Sequence, residues 1–477
     1  MNTDVLLFNP PAPEGCGFTR EGRCTQEAGL WGTQWPPLSL ATAAALLRQE
    51  GHRVTLRDYP AAARGVGALA EEIRRLRPAF AIWSTGSPTI SSDIALARVV
   101  REQAPDCVTA VIGTHVTVRP EAALAEASLD VVVRGEPEGT LRRLCRGGPY
   151  REVLGISWRD HGGAVRHNPD APWLEPGEIP APAWDGLDLG AYRLPLQGRR
   201  FLMVAPVRGC PWGCSFCTAP LYYGRRLRHR PVARVVDEMA ENADRFGIRE
   251  FLFWADTFTA DRLYVQALCR AILERGLKIS WSCNSRVDTI DEETLRLMKK
   301  AGLWMISFGL ESGSDAVLAA SGKGITAAQS CAAVSLAHRL GIRVAGHFIF
   351  GLPGETEETM AGTLAMALGM PLDVAQFYAA APFPGTGLHD EALRRGWLIR
   401  EGKGGFEPAF SQGQAVMELP GLPPGRVDAF RRRAYRRFYL RPGAAIRVLS
   451  MIEPPALGGL IGKIGAAALF MGRRGSS

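Results

Sequence analysis

Three cysteines near the middle of the 477-residue chain are the residues best suited to chemistry. Cys210, Cys214 and Cys217 fall within eight positions in the spacing C-x3-C-x2-C, and an intervening proline and glycine predict a loop rather than a helix. Thiolates are soft ligands that suit zinc or iron–sulfur clusters. A cubane cluster usually takes four cysteines, so three would leave one iron open to chemistry. A zinc site with His229 as a distant fourth ligand and a set of structural thiols are the alternatives at this point.

The residue before the last cysteine narrows the interpretation. With Phe216 at that position, the motif resembles the signature of the radical S-adenosylmethionine (SAM) superfamily. The resemblance implies that Cys210, Cys214 and Cys217 bind a [4Fe–4S] cluster whose fourth iron chelates the amino and carboxylate groups of SAM. Reduction of the cluster would then cleave SAM to a 5′-deoxyadenosyl radical.

The composition is that of a globular protein, with 46% hydrophobic and 22% charged residues. The N-terminus lacks the charged start and apolar core of a signal peptide, which predicts a cytoplasmic protein whose ten cysteines are reduced. The net charge of +8 is concentrated in residues 426–477, where eleven Lys and Arg residues are accompanied by only two acidic ones. The rest of the chain carries −1, and this near-neutral body does not indicate nucleic-acid binding.

Short apolar runs alternate with helical patterns over residues 1–150. The predicted strands are Val5–Phe8, Val54–Arg57, Phe80–Ser84, Val108–Ile112 and Asp130–Val133, and the predicted helices are Leu38–Gln49, Gly67–Leu76, Ser92–Gln103 and Glu121–Ala127. Five strands with four crossovers predict an open, parallel, doubly wound α/β sheet of Rossmann-like form. Ligands of such sheets bind at the carboxyl ends of the strands. The predicted ligand contacts there are Asn9, Ser84, Thr85, Gly113, His115, Gly135 and Glu136.

This domain, placed ahead of the cysteine motif, resembles the cobalamin-binding domain of cobalamin-dependent radical SAM enzymes. Trp35–Ala41 and Gly113–Glu138 are its most family-like segments. The chain has no D-x-H-x-x-G motif, so the resemblance implies cobalamin bound without the cobalt-ligating histidine of that motif, and His115 is expected to contact the corrin side chains. No G-x-G-x-x-G follows the first strand, which counts against a dinucleotide. A sheet that binds a nucleotide or another metabolite is the alternative.

Residues 151–200 are rich in proline and tryptophan and predict an ordered but irregular linker. Over residues 201–400, six strand–helix units predict a partial (β/α)6 barrel of the TIM type, with its chemistry at the carboxyl ends of the strands. The predicted strands are Leu202–Val207, Glu250–Trp254, Ile279–Cys283, Trp304–Phe308, Val344–Phe350 and Val374–Ala379, with helices near 232–246, 261–275, 291–301, 326–340 and 355–369.

Residues at the carboxyl ends of those strands define an expected SAM site. The expected contacts are Phe216, Asp256, Arg286, Glu311, Ser312 and Ile349, of which the aspartate has no assigned role. As the resemblance implies, Glu311 and Ser312 would meet the ribose hydroxyls and Arg286 would lie near the methionine carboxylate. Ile349 would pack on adenine, and Phe216 would contribute backbone contacts near it. Taken alone, each charged residue also fits an ordinary solvated loop.

Residues 401–477 predict a helical, basic C-terminal region. Val427, Phe430, Ala434 and Phe438 recur at helical spacing with arginines between them, which predicts a basic amphipathic helix. The simpler interpretation is a helix packed on the barrel with a solvated cationic face. The other is a surface that contacts anionic lipid at the inner face of the membrane, or an acidic substrate. The apolar stretch Ala456–Gly472 is short and contains a lysine, which argues against a membrane-spanning helix.

Together the resemblances imply a cobalamin-dependent radical SAM enzyme, in the first hypothesis a methyltransferase. It would transfer a methyl group from SAM via methylcobalamin to an unactivated carbon of a small molecule, lipid-like or tetrapyrrole-like, with electrons from an external donor such as flavodoxin or ferredoxin. The sequence also resembles the anaerobic magnesium-protoporphyrin monomethyl ester cyclase group, so oxidative cyclisation or ring rearrangement is the second hypothesis. The third is a non-catalytic cobalamin- or metal-binding sensor with zinc in the cysteine triplet.

Overall fold

The first third of the chain forms an α/β unit. The computed structural model describes residues 3–12, 18–21, 24–27, 34–160, 162–399 and 410–456; the predicted apolar stretch beyond residue 456 lies outside these ranges. The strands of this unit are β1 (Asp4–Asn9), β2 (Phe18–Glu21), β3 (Cys24–Glu27), β4 (Arg53–Asp58), β5 (Phe80–Ser84), β6 (Val108–Ile112), β7 (Val131–Val133), β8 (Ile156–Arg159) and β9 (Val165–His167). Its helices are α1 (Leu38–Gln49), α2 (Val66–Leu76), α3 (Ile90–Gln103), α4 (Thr114–Val118), α5 (Pro120–Leu124) and α6 (Pro137–Cys145).

Seven of these strands form one sheet in the order β4-β1-β5-β6-β7-β8-β9. The first five pair in parallel, and α1 and α6 cover one face while α2 and α3 cover the other, so the predicted doubly wound sheet is confirmed. Strands β8 and β9 add an antiparallel hairpin at one edge, which extends the sheet past residue 150 to His167. Because both faces are covered, strands such as β5 and β7 are buried along their whole length.

The second unit continues the α/β alternation. Its strands are β10 (Phe201–Val204), β11 (Val207–Arg208), β12 (Arg228–His229), β13 (Glu250–Phe253), β14 (Ser280–Ser285), β15 (Leu303–Glu311), β16 (Arg343–Phe350) and β17 (Val374–Ala379). Its helices are α7 (Ala219–Tyr223), α8 (Val232–Phe246), α9 (Arg262–Glu274), α10 (Glu292–Lys300), α11 (Asp315–Ala320), α12 (Ala327–Arg339), α13 (Glu357–Gly369), α14 (Gly387–Arg395), α15 (Pro424–Tyr439) and α16 (Pro442–Leu449).

Six of these strands form an all-parallel sheet in the order β10-β13-β14-β15-β16-β17, which confirms the predicted partial barrel. An open barrel leaves the backbone groups of its last strand unpaired. Side chains of α15 bind them: the Tyr439 hydroxyl donates to the Ala375 carbonyl at 2.8 Å, and Tyr435 accepts from the amide of Phe377 at 3.2 Å. Arg431 donates to the Phe377 carbonyl at 3.0 Å. The C-terminal helix therefore protects the edge of the barrel.

The apolar side of α15 packs on the barrel, as the simpler interpretation of the basic helix predicts. Val427, Ala434 and Phe438 are buried, and the ring of Phe438 lies 6.1 Å from that of Phe377. Within the described residues, no helix is both long and apolar enough to cross a membrane.

The two units share one hydrophobic core, and the linker contributes to it. Trp184 is buried in this core. Trp173 crosses between the units: its ring lies 4.8 Å from the Arg228 guanidinium, and a Cβ added at Gly224 would be 2.8 Å from it. A Cβ at Gly135, in the first unit, would lie 3.9 Å from the same ring. The linker therefore helps to set the position of one unit on the other.

Candidate active site

The three cysteines lie on the loop between β11 and α7, after the first barrel strand. Cys210 is buried, whereas Cys214 and Cys217 are partly exposed. The Cys217 amide donates to the Cys214 carbonyl at 3.2 Å, so the loop curls back on itself between the second and third thiols. The Ser215 amide donates to the Ser321 carbonyl at 2.9 Å, which fastens the loop to the segment after α11.

Cationic side chains surround Cys214. The Arg286 Nη1 atom lies 3.9 Å from the Cys214 sulfur. Burial raises the pKa of this thiol, the nearby Lys323 and Arg286 oppose that shift, and Glu311 adds to it. An iron–sulfur cluster bound by thiolates is anionic, so positive charge at this position favours its binding and its reduction.

Glu311 and Lys323 form a buried ion pair at the end of β15. The Lys323 Nζ and Glu311 Oε1 atoms lie 2.7 Å apart, and both side chains are more than nine-tenths buried. Glu311 has a left-handed backbone with φ of 60°, which is strained for a residue with a side chain. A Cβ at Gly309 would lie 2.5 Å from Glu311 Oε1 and 2.8 Å from Lys323 Nζ, so that glycine provides the space for the pair. Lys323 is a site residue that the strand-end pattern does not predict.

Arg286, expected near the methionine carboxylate, is buried beside the cysteine loop. Its Nη2 donates to Asp288 Oδ2 and to the Lys323 carbonyl, each at 2.8 Å, and its guanidinium lies 4.6 Å from the ring of Trp212. Trp212 belongs to the cysteine loop itself. Arg286 therefore links the end of β14 to the Lys323 segment and to the cysteine loop.

The other predicted SAM contacts differ in how deeply they are buried. Ile349 is buried within β16, and Phe216 and Asp256 are partly buried. Ser312 is fully buried, and its hydroxyl lies 3.2 Å from Thr363 Oγ1 on α13. That hydroxyl therefore helps to hold the loop after β15, and its expected contact with the ribose stays a prediction.

The zinc alternative requires His229 next to the thiols. The His229 Nε2 atom instead lies 3.4 Å from Asp261, and its ring lies 4.6 Å from that of Tyr264. Across the described ranges, no group of three or more His, Cys, Asp or Glu side chains is arranged to hold a single metal ion such as zinc.

The carboxyl ends of β5 and β6 pack closely together in the first unit. Gly113 has φ of 140°, and a Cβ there would lie 2.6 Å from the Thr85 carbonyl oxygen. Only glycine fits this position. His115 is buried with its Nδ1 atom 3.1 Å from the Ser87 hydroxyl, and burial lowers the pKa of His115 to about 4. The imidazole is therefore neutral near pH 7 and acts as a hydrogen-bonding group.

Asn9 and Ser84 belong to a buried polar network beside these strand ends. The Asn9 amide nitrogen donates to Asp58 at 3.0 Å, and its oxygen accepts from Arg20 at 3.3 Å and from Ser84 at 3.4 Å. Arg20, on the hairpin of β2 and β3, forms an ion pair with Asp93 at 2.9 Å. The apolar pattern does not predict this hairpin, which stabilises the strand ends from outside the main sheet.

Glu136 joins the two units. Its Oε1 atom accepts from Arg208 Nη1 at 2.7 Å, and Arg208 Nη2 donates to Glu138 at the same distance. Arg228 also forms an ion pair with Glu136. All four side chains are at least 93% buried. Gly135, with φ of 69°, turns the chain into this cluster. The loop predicted to contact cobalamin is thus bound directly to the segment that precedes the cysteines.

Two family models match the chain. Residues 30–145 match the B12 binding domain, and residues 204–367 match the Radical SAM superfamily. The first match covers Gly113 and His115, and the second covers the cysteine loop, Arg286 and the ion pair of Glu311 with Lys323.

Curated relatives match nearly the whole chain. An uncharacterized methyltransferase of Pyrococcus horikoshii is 33% identical over 87% of this chain and 90% of its own length. The cytidylyl-2-hydroxyethylphosphonate methyltransferase of Streptomyces wedmorensis is 30% identical, covering 89% and 88%. This chain belongs to the cobalamin-dependent radical SAM family. Its cofactors are a [4Fe–4S] cluster, SAM and cobalamin, and these two methyltransferases are its relatives over nearly their full length.

Solved structures of this family share the fold. The radical SAM methyltransferase TsrM from Kitasatospora setae, with cobalamin and a [4Fe–4S] cluster bound, aligns with a TM-score of 0.70 at 19% identity, over 95% of this chain and 90% of that one. The cobalamin-dependent radical SAM enzyme OxsB, with aqua-cobalamin bound, aligns with a TM-score of 0.66 at 20% identity, over 83% and 56%.

The residues of this chain fit the cofactors of its family. The partly exposed thiols Cys214 and Cys217 suit the cluster, and Lys323 and Arg286 supply positive charge beside them. In the first unit, Gly113 lets the loop after β6 pack closely on Thr85 at the carboxyl ends of the strands, where ligands of such sheets bind. That His115 and Gly113 contact the corrin, and that Glu311 contacts the ribose of SAM, stay predictions.

Proposed function

We propose that this enzyme transfers a methyl group from SAM, by way of cobalamin, to an unactivated carbon of a small molecule. One observation supports the proposal most directly: the loop predicted to contact cobalamin is bound to the segment just before the cluster cysteines. Arg208, two residues before Cys210, forms buried ion pairs with Glu136 and Glu138 in the first unit. The cofactors, when bound, supply reductive cleavage of SAM and carriage of the methyl group.

The protein's own residues position the reactants and exclude water. The three cysteines would hold the cluster, and Arg286 and Lys323 would stabilise the added electron through their charge. Glu311 would accept hydrogen bonds from the ribose hydroxyls of SAM, because its carboxylate is already oriented by Lys323 at 2.7 Å. His115, neutral near pH 7, would offer a hydrogen bond to the corrin side chains without adding charge.

Methyl-labelled SAM tests the proposal. The reconstituted enzyme, a reductant and candidate small molecules should give a labelled product that is heavier by one CH2 unit. A Cys214→Ala variant should lose cluster iron and product, but it should still bind cobalamin because the first unit is intact. Label that reaches cobalamin but never a product would argue against methyl transfer to substrate.

Oxidative cyclisation is the second candidate, favoured by another group of relatives. The anaerobic magnesium-protoporphyrin IX monomethyl ester cyclases of Cereibacter sphaeroides and Rubrivivax gelatinosus are 28% and 30% identical, over 85% and 75% of this chain. Product mass separates the two reactions, because cyclisation removes hydrogen and adds no carbon. These relatives also support a tetrapyrrole-like substrate, and our proposal covers a tetrapyrrole-like or lipid-like small molecule.

Two further partners belong to the proposal. Each turnover of reductive SAM cleavage needs an electron, so a flavodoxin- or ferredoxin-like donor must dock within reach of the cysteine loop. The exposed basic side of α15 would contact the anionic inner face of a membrane, where a lipid-like substrate resides.

A further inference from the structure

The inner face of the barrel is polar and accessible along four neighbouring strands. The partly exposed residues of β14 to β17 include Asn284, Ser307, Gly309, His347, Gln376 and Tyr378. Their sequence neighbours Cys283, Phe308, Phe348 and Phe377 are at most 1% exposed. Successive side chains of a strand point to opposite faces. Because Phe377 packs on Tyr435 of α15 at a ring distance of 5.3 Å, its face is the outer one, and the partly exposed residues lie on the inner face.

The amino-terminal end of this inner space is closed. Leu196 of the linker, Ala345, Val374 and Met451 form a buried apolar cluster. Ala345 precedes His347 by two residues on the same face of β16, so the cluster lies one layer below it. The layer of polar residues is therefore reached from the carboxyl end of the barrel, where the cysteine loop lies.

The hydrogen-bonding groups of this layer are arranged on two sides. On one side, the His347 Nδ1 atom lies 3.2 Å from the Tyr378 hydroxyl, which in turn donates to the Gln376 amide oxygen. On the other side, Asn284 and Ser307 form no side-chain hydrogen bond with any other residue that the structure describes. Gly309 pairs in register with His347, and the Glu311–Lys323 ion pair occupies the space beside this glycine.

We propose that this layer is the specificity pocket of the enzyme and that it binds a neutral hydrogen-bonding group of the substrate, such as an amide or a ring nitrogen. Amide and hydroxyl side chains offer both donors and acceptors to such a group. Asn284, Ser307, Gln376 and Tyr378 provide no ammonium or guanidinium group, and the nearby Lys323 is already paired with Glu311. A carboxylate or phosphate placed among them would therefore be desolvated without a free counter-charge. The inference rests on the proposed function, since it assigns the pocket to the substrate of that same reaction.

A matched pair of small probes tests the pocket without knowledge of the substrate. Saturation-transfer NMR would compare nicotinamide with nicotinate, which share a ring and differ in charge, on the enzyme loaded with cluster, cobalamin and SAM. We expect nicotinamide to bind at least about tenfold more tightly, in line with the cost of one unpaired polar contact. Asn284→Leu and Gln376→Leu should each weaken nicotinamide binding about tenfold, whereas Gln414→Leu, the same change at an exposed position, should not.

Two outcomes would overturn the inference. Equal or tighter binding of nicotinate, or no nicotinamide binding at all, would show that the pocket does not select a neutral group, and the wild-type enzyme alone decides this point. Unchanged nicotinamide affinity in both leucine variants, with iron and corrin content retained, would place the probe elsewhere. Methyl transfer from labelled SAM, assayed separately, reports on the proposed function whatever the probes do.

Discussion

Lys323 is the residue whose charge bears most directly on the cluster. It is buried, pairs with Glu311 at 2.7 Å and opposes the burial-induced rise in the pKa of Cys214. Its backbone carbonyl also accepts from Arg286 at 2.8 Å. The side chain therefore both orients the predicted ribose ligand and adds positive charge near the thiols.

Replacing Lys323 by methionine keeps the length of the side chain and removes its charge. We expect the midpoint potential of the cluster to become more negative, because the added electron loses a nearby cation. SAM affinity should fall about tenfold or more, since the unpaired Glu311 carboxylate is buried without its partner, a change that typically costs about 3–5 kcal/mol. An EPR-monitored redox titration and equilibrium binding of SAM measure the two effects.

The exposed Lys300 offers a matched control. Lys300→Met removes the same charge at the surface and should leave both the potential and the SAM affinity as in the wild type, because solvent screens exposed charges. A Lys323→Met enzyme with wild-type potential and wild-type SAM affinity would mean that the ion pair serves only to hold the loop after β15.

At the scale of elements, the buried ion cluster between α6 and β11 joins the cobalamin and radical SAM units. We expect Glu136→Gln to lower the free energy of unfolding by about 3–5 kcal/mol, because Arg208 and Arg228 each lose a buried partner. Arg208→Gln should be similarly destabilising. The double variant should be less destabilised than the sum of the two, with a coupling energy of about 1–3 kcal/mol in denaturant titrations.

An exposed ion pair of comparable length provides the reference. Arg48 and Asp185 lie 2.8 Å apart with about a third or more of each side chain exposed. Asp185→Asn should therefore cost less than about 1 kcal/mol. If the effects of the Glu136 and Arg208 substitutions on the free energy of unfolding were simply additive, the two units would be held together by their shared apolar core alone.

Local patterns in the sequence predict the elements well but not the contacts between them. Strand β17 and helix α1 begin and end at the predicted residues, since their apolar periodicity is set by burial on one or two faces. The cysteine triplet is predictable because its ligands are close in sequence. Lys323 and the pairing of Glu136 with Arg208 are not predictable from the sequence, because each depends on a tertiary contact between distant segments. A polar residue at a strand end gives the same sequence pattern whether it contacts a ligand or another unit.

In the whole molecule, one surface near the C-terminus combines charge with exposed apolar side chains. Arg432, Arg433, Arg436 and Arg437 are exposed on α15 and form no ion pair with another described residue. Beyond them, Leu440, Ile446 and Leu449 are 80%, 65% and 64% exposed. Because the opposite side of α15 is packed on the barrel, only this side is available to a partner. Basic and apolar groups on one surface suit the interface of an anionic bilayer.

Vesicle sedimentation of the full chain tests this surface. Changing Arg432, Arg433, Arg436 and Arg437 together to glutamine should weaken binding to vesicles containing phosphatidylserine by roughly a hundredfold to a thousandfold, because each arginine near such a surface contributes about 1 kcal/mol. A control with the exposed Arg64, Lys278, Lys300 and Arg394 changed to glutamine lowers the net charge equally and should bind almost as the wild type does. Equal losses of vesicle binding in both variants would point to net charge alone. Wild-type protein that does not bind anionic vesicles would exclude a lipid partner for this surface. If the arginine variant alone is impaired, the barrel edge protected by α15 is also the side of the enzyme that meets the membrane.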